Sequence, residues 1–332
     1  MQLRRLATTP RARRLVSSLS DGAFALLSAA KPVAIGYAIT CGIAFVAQRK
    51  LQYFPTVDAP ELPSGDFSFA AVEEFEVFAR DGTRCLGWRM PAPARGAEPV
   101  APWWLGEKAA AALLPTMREL RRRYDFSHID VLQFHGNAGS RANRLGWMHI
   151  LREGLGCSVS VLDYRGYGGS EGSPTEEGLL EDGEAAAAWA AARGGERRKL
   201  VLWGESIGSG VAVAVASRTP PPAALVVEAG FSSCVDVAAA AYPWLPVRLF
   251  MKDRYDSVDR AARLPRSLPT LSIHGRLDDI APIELGRRLH AALPEGAAFV
   301  ELPDAGHNDV PYQDPAAYLK AIAAFFERLD AQ

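Results

Sequence analysis

Leu200-Val201-Leu202-Trp203-Gly204-Glu205-Ser206-Ile207-Gly208-Ser209-Gly210-Val211 is the stretch whose reading decides the fold. Four apolar residues suit a buried strand, the small and β-branched residues from Ile207 to Ser217 suit a packed helix, and Gly204-Glu205-Ser206-Ile207-Gly208 lies between them. A strand-to-helix turn this sharp holds its serine in a strained conformation. Glycines two residues on either side remove the Cβ atoms that would collide where strand and helix approach. Ser206 Oγ is then expected to project above the edge of a sheet. In a chain with 29 glycines an isolated Gly-x-Ser-x-Gly is also compatible with a plain turn, and the flanking elements are what distinguish this one.

The pattern continues on both sides. β-rich runs at Ile129 to Phe134, Ser158 to Leu162, Leu200 to Trp203, Ala224 to Val227, Thr270 to Ile273 and Ala298 to Leu302 alternate with Ala-rich helical stretches near Arg141 to Glu153, Thr175 to Ala192, Ile207 to Ser217, Ile283 to Leu293 and Pro315 to Leu329. Repeated strand–helix units predict an α/β fold, a mainly parallel central sheet with helices on both faces. Ahead of them Val72 to Ala79 and Cys85 to Met90 flank Asp81-Gly82, a hairpin signal, and Glu107 to Arg123 reads as a helix. The expected divisions are 1–50 as a basic N-terminus plus hydrophobic helix, 51–64 as a Pro-rich linker, and 65–332 as one catalytic domain. Within that domain 97–128, carrying Trp103-Trp104, reads as a packing helix, or as a membrane-facing or substrate-shaping element.

A length of 332 residues with 48% hydrophobic and 23% charged residues supports a substantial core. With 37 Lys+Arg against 38 Asp+Glu, nothing in the net charge invites nucleic acid. Cys41, Cys85, Cys157 and Cys234 are scattered, with no CxxC pair or Cys/His run at zinc spacing, so no metal site is expected. The run Asp163-Tyr164-Arg165-Gly166-Tyr167-Gly168-Gly169-Ser170-Glu171-Gly172 lacks both the P-loop Lys-Ser/Thr and a complete GxGxxG, which argues against a nucleotide; no cofactor is expected, and the run reads as a tight loop beside the site.

A serine hydroxyl needs a base, and the base an orienting carboxylate. His307 follows the last strand, in Gly306-His307-Asn308-Asp309, and is the best-placed base. His135 and His274 each end a strand before glycine and are expected to shape turns; His128, His149 and His290 read as surface or core residues. The acid belongs on a loop between nucleophile and base, where Asp278 fits, with Asp279 and Glu228 as competitors. The oxyanion donors are expected to be the backbone N–H groups of Ile207, after the nucleophile, and Asn137, in His135-Gly136-Asn137-Ala138-Gly139-Ser140.

Together these motifs resemble the Bem46 and ABHD13/ABHD17-like branch of the α/β-hydrolase superfamily, from Leu51-Gln52-Tyr53-Phe54-Pro55 nearly to the C-terminus. Tyr242-Pro243-Trp244-Leu245-Pro246 and Tyr255-Asp256-Ser257 also look like that branch, where a large lid domain is usually absent and an N-terminal anchor is common. The resemblance implies serine hydrolysis of a carboxylic ester or thioester through Ser206, His307 and Asp278, with a small-molecule or lipid acyl substrate. The alternatives are a catalytically idle membrane-tethered binding module, or a serine peptidase or lipid deacylase of the same fold.

At the N-terminus Arg4, Arg5, Arg11, Arg13 and Arg14 precede any acid, and Gly22 to Ala47 is apolar or small apart from Ser28, Lys31 and Thr40. This predicts a single membrane anchor, with Lys31 snorkelling near one end and the excess of arginines keeping the N-terminus cytoplasmic, so that the catalytic domain lies on the non-cytoplasmic side. A cleaved targeting segment, leaving a secreted, organellar or soluble enzyme, is the alternative.

Overall fold

The computed structural model describes residues 10–63, 72–195, 198–218 and 220–331. Arg4 and Arg5 of the basic N-terminus, and the expected boundary at 64/65, lie outside them. The chain falls into two units, Met1–Gln48 and Arg49–Gln332. The first is helical: α1 runs Pro10–Gln52, and its last turn, from Arg49, belongs to the second unit.

The second unit carries β1 Phe54–Pro55, β2 Glu73–Phe78, β3 Arg84–Met90, α2 Glu107–Arg123, β4 Ile129–Phe134, β5 Ala138–Gly139, α3 Leu145–Leu155, β6 Ser158–Leu162, α4 Glu176–Gly194, β7 Lys199–Glu205, α5 Ile207–Arg218 and β8 Ala224–Glu228. After these come α6 Cys234–Ala241, α7 Val247–Phe250, α8 Ser257–Ala261, β9 Thr270–Gly275, α9 Ile283–His290, β10 Ala298–Leu302, α10 Val310–Gln313 and α11 Pro315–Asp330. Eight strands form one sheet in the order β10-β9-β8-β7-β4-β6-β3-β2. It is parallel from β10 to β6; β3 runs antiparallel to both β6 and β2, as the Asp81-Gly82 turn requires.

Strand alternation feeds two cores. In β4, Leu132 and Phe134 join one apolar cluster while Ile129 and Val131 join the other; in β7, Leu202 opposes Val201 and Trp203. The first cluster takes in Leu179 and Leu180 of α4, the apolar residues of α5 and Leu285 and Leu289 of α9, and the second Leu113 and Met117 of α2, Trp147 of α3 and Tyr318 and Phe326 of α11. Because both faces are covered, the central strands put apolar residues on both faces. The excursion between β8 and β9 holds only the short α6, α7 and α8, so no large lid covers the carboxyl edge of the sheet. Within 97–128, α2 buries Leu113, Met117 and Leu120, and Trp103 and Trp104 pack edge-on against His149 of α3.

The carboxyl ends of β4, β7, β9 and β10 carry the residues of interest. Between them runs a second small ladder, in which β1 pairs in parallel with β5, Phe54 opposite Ala138 and Pro55 opposite Gly139.

Candidate active site

Ser206 sits between β7 and α5 with φ 53°, one of three non-glycine residues at positive φ among those described. The conformation is imposed by the crossing of strand and helix: a Cβ on Gly204 would run into the backbone of Gly208 and Ser209, and one on Gly208 into the carbonyls of Phe134 and His135. Ser206 is 8% exposed, so its hydroxyl is shielded but reachable.

His307, beyond β10, reaches back to it. Its Nε2 lies 2.9 Å from Ser206 Oγ and its Nδ1 2.7 Å from Asp278 Oδ2. A carboxylate only accepts, so Nδ1–H donates to Asp278, and the Nε2 lone pair is left to accept from the hydroxyl. Asp278 is itself fully held: Oδ1 accepts from the N–H groups of Ile280 and Ala281 at 3.0 and 2.7 Å, and His274 Nε2 stands 3.2 Å from Oδ2. Burial opposes ionisation of Asp278, but the hydrogen bonds from His274 and His307 outweigh it and hold the carboxyl well below the usual range.

Neither competing acid hydrogen-bonds His307 among the described residues. Asp279 is exposed. Glu228, at the end of β8, accepts from Trp203 Nε1 at 3.1 Å and Tyr318 Oη at 2.6 Å, and burial pushes its carboxyl up to about 8, so at neutral pH it is largely a neutral acid. His274, expected only to shape a turn, braces Asp278 from inside the sheet. The spacing His274 to Asp278 was visible in the sequence, but only the bend after β9 makes it a contact.

Ile207 follows the serine directly, and Asn137 lies in the loop after β4. Ile207 begins α5, so its N–H has no intrahelical acceptor. Gly136 packs against the nucleophile so closely that a Cβ there would lie 3.5 Å from Ser206 Cβ. The N–H of Asn137 makes none of the loop's backbone hydrogen bonds among the described residues.

Arg144 and Glu205, neither singled out by the sequence pattern, form a paired salt bridge beside these groups. Arg144 Nη2 and Nε lie 2.7 and 3.0 Å from the Glu205 oxygens, and Nη1 donates to Ala138 O at 2.9 Å. Burial disfavours the Glu205 charge, yet Arg144 outweighs it and keeps the carboxyl ionised, below its usual range. A cavity of about 180 Å³ opens here, lined by Asn143, Arg144, Glu205, Glu228, His307, Asn308 and Tyr312 among others. Among the described residues no cluster of His, Cys, Asp and Glu is arranged to hold a metal ion.

Residues 131–268 match the family model described as alpha/beta hydrolase fold. An uncharacterized protein of Mycobacterium tuberculosis is 37% identical over 279 residues, spanning 84% of this chain and 86% of the relative. The bem46 protein of Schizosaccharomyces pombe is 30% identical over 60% of this chain and 68% of its own length. The lysophosphatidylserine lipase ABHD12 of Danio rerio is 33% identical over 51% of this chain, which spans 48% of that lipase. Among solved structures, the esterase Pf2001 of Pyrococcus furiosus superimposes with a TM-score of 0.59 at 16% identity, covering 83% of this chain and 97% of the esterase, a likeness of fold.

Proposed function

The chain belongs to the Bem46/ABHD-like branch of the α/β-hydrolase family, and from that premise we propose that it is a serine hydrolase cleaving carboxylic ester or thioester bonds through Ser206, His307 and Asp278. The observation that carries the reading is the continuous line Asp278 Oδ2···His307 Nδ1 and His307 Nε2···Ser206 Oγ, at 2.7 and 2.9 Å.

In this mechanism His307 Nε2 takes the proton from Ser206 Oγ as the oxygen attacks the acyl carbon. The carbonyl electron pair moves onto oxygen, and the N–H groups of Ile207 and Asn137 stabilise the oxyanion. The imidazolium, oriented and compensated by Asp278, gives its proton to the departing alkoxide or thiolate, leaving an acyl-serine. Water then enters, loses a proton to His307, releases the carboxylic acid and restores the hydroxyl.

The leaving group departs on the His307 side, where the cavity is lined by Asn143, Arg144, Glu205, Asn308 and Tyr312. That lining suits a polar alcohol better than an alkyl chain. A polar headgroup on one side of the scissile bond and a fatty acyl group on the other describes a monoacyl lipid, a class consistent with the ABHD12 relatives and with the apolar helix at the N-terminus. A carboxylic ester of this kind is the first choice and an S-acyl thioester the second.

Intact-mass analysis after fluorophosphonate treatment tests the proposal. The expected result is one adduct per chain in wild type and none in Ser206→Ala, with hydrolysis of short and long acyl esters lost in parallel. Asp278→Asn should lower kcat by roughly 10³ to 10⁴ through the wrong imidazole tautomer. Absence of labelling in folded, detergent-solubilised protein would refute the reading.

A further inference from the structure

The loop His135–Gly139 turns every one of its carbonyls toward a protein donor. Tyr164 Oη donates to His135 O at 3.0 Å, and His135 Nδ1 to Gly136 O at 2.7 Å. Asn137 O accepts from both Tyr167 Oη, at 2.8 Å, and Phe54 N, at 2.9 Å. Arg144 Nη1 holds Ala138 O, and Thr56 N holds Gly139 O at 2.9 Å. The Asn137 side chain completes the set by donating from Nδ2 to Gln52 O at 3.0 Å. With its carbonyls tied back, the loop is left with the N–H groups of Gly136 and Asn137 outside its hydrogen-bond network, the arrangement by which successive amides receive an anion.

Three of these ties come from one short segment, Gln52–Thr56, which follows directly on the last turn of α1. That segment is itself fixed at both ends. Gln52 Nε2 donates to Asp253 O at 3.0 Å and Arg49 pairs with Asp253 at 2.8 Å, while Gly168 N and Gly169 N donate to Thr56 O and Val57 O at 2.7 and 2.8 Å. Tyr53 is 4% exposed and its hydroxyl meets that of Tyr255 at 3.0 Å. A linker that only joined a helix to a domain would need none of this.

We propose that Gln52–Thr56, together with Tyr167, is a positioning element of the active site that holds Asn137 in the register at which its N–H receives the oxyanion. This rests on the serine-hydrolase reading given above. None of these residues touches the reacting atoms; they act through the Asn137 backbone. The chain that leaves the apolar helix therefore finishes the site.

The test uses full-length protein in detergent and three variants. Tyr167→Phe removes one donor to Asn137 O, Phe54→Pro removes the other, and Asn137→Ala removes the tie to Gln52 O while keeping the backbone N–H. Each is expected to lower kcat about tenfold, and Tyr167→Phe with Asn137→Ala about a hundredfold, with KM within about twofold of wild type, because the loss falls on the oxyanion alone. Affinity for an alkyl boronic acid, which forms a tetrahedral adduct on the serine, should fall by the same factor as kcat/KM, while inhibition by the product alcohol, which binds on the leaving-group side, stays unchanged. A purely structural role would not reproduce that split. Should Phe54→Pro fail to fold, the other two variants decide. Folded variants with wild-type kcat and wild-type boronate affinity, alongside an inactive Ser206→Ala, would overturn the positioning role and leave the hydrolase reading standing. Activity surviving in Ser206→Ala would instead remove the reading beneath it.

Discussion

At the scale of single residues, the site separates its carboxylates by environment. Asp278 receives two backbone N–H groups and the His307 imidazole, with His274 Nε2 3.2 Å away, and stays charged; Glu228 receives one indole and one phenol in a buried setting and keeps its proton to about pH 8. An unfolded glutamate releases its proton near the usual 4.5. Between that value and 8 the folded state binds more protons than the unfolded one, so Glu228 makes stability fall as pH rises through the window. Glu228→Gln imitates the neutral acid and can still accept from Trp203 and Tyr318. It is expected to match wild type at pH 4 and to exceed it by at least about 1 kcal/mol at pH 8.5, read from urea midpoints at the two pH values. Equal midpoints at both would mean that Glu228 is not held neutral.

At the scale of elements, the turn from β7 to α5 shows what the sequence could and could not convey. The Gly-x-Ser-x-Gly spacing was legible because it encodes a local steric demand, and the alternating strands because each central one is apolar on both faces. What escaped were contacts with no periodic signature: Arg144 with Glu205 and Gln52–Thr56 across the loop of Asn137, far apart in the chain, and His274 beside Asp278, near in sequence but brought together only by the bend after β9. The segment before residue 64 looked like a proline-rich spacer because Phe54-Pro55 is too short to read as a strand, though it pairs as one. The elbow itself makes a prediction. If φ 53° at Ser206 is strain imposed by the crossing backbone, glycine should tolerate the position better than alanine. Ser206→Gly should be more stable than Ser206→Ala by about 1 kcal/mol, both being inactive. Calorimetry of the two variants measures it, and an alanine variant as stable as the glycine one would show that the turn holds no strain.

At the scale of the whole molecule, the question is what the first unit does. Ala30–Gln52 is a helical stretch of 23 residues containing an 18-residue window with a mean hydropathy of 1.5, by length and composition able to cross a membrane or to serve as a signal sequence. At about 1.5 Å per residue it spans roughly 34 Å, slightly more than a hydrocarbon core of about 30 Å, with Lys31 close to one end and Arg49 and Lys50 at the other. Charges confined to the ends can snorkel, whereas a charge at the centre would cost about 3 kcal/mol on insertion. A retained anchor has a direct consequence. Full-length protein is expected to stay with the membrane pellet through an alkaline carbonate wash. A chain beginning at Arg49 should appear in the supernatant with kcat near that of the parent, because Gln52–Thr56 is still present. A chain beginning at Asp58 lacks that segment and should be soluble but slow, by the factor found for the Asn137 ties. Release of the full-length protein by carbonate would dismiss the anchor. Equal activity of the Arg49 and Asp58 chains would leave Phe54 and its neighbours as packing alone.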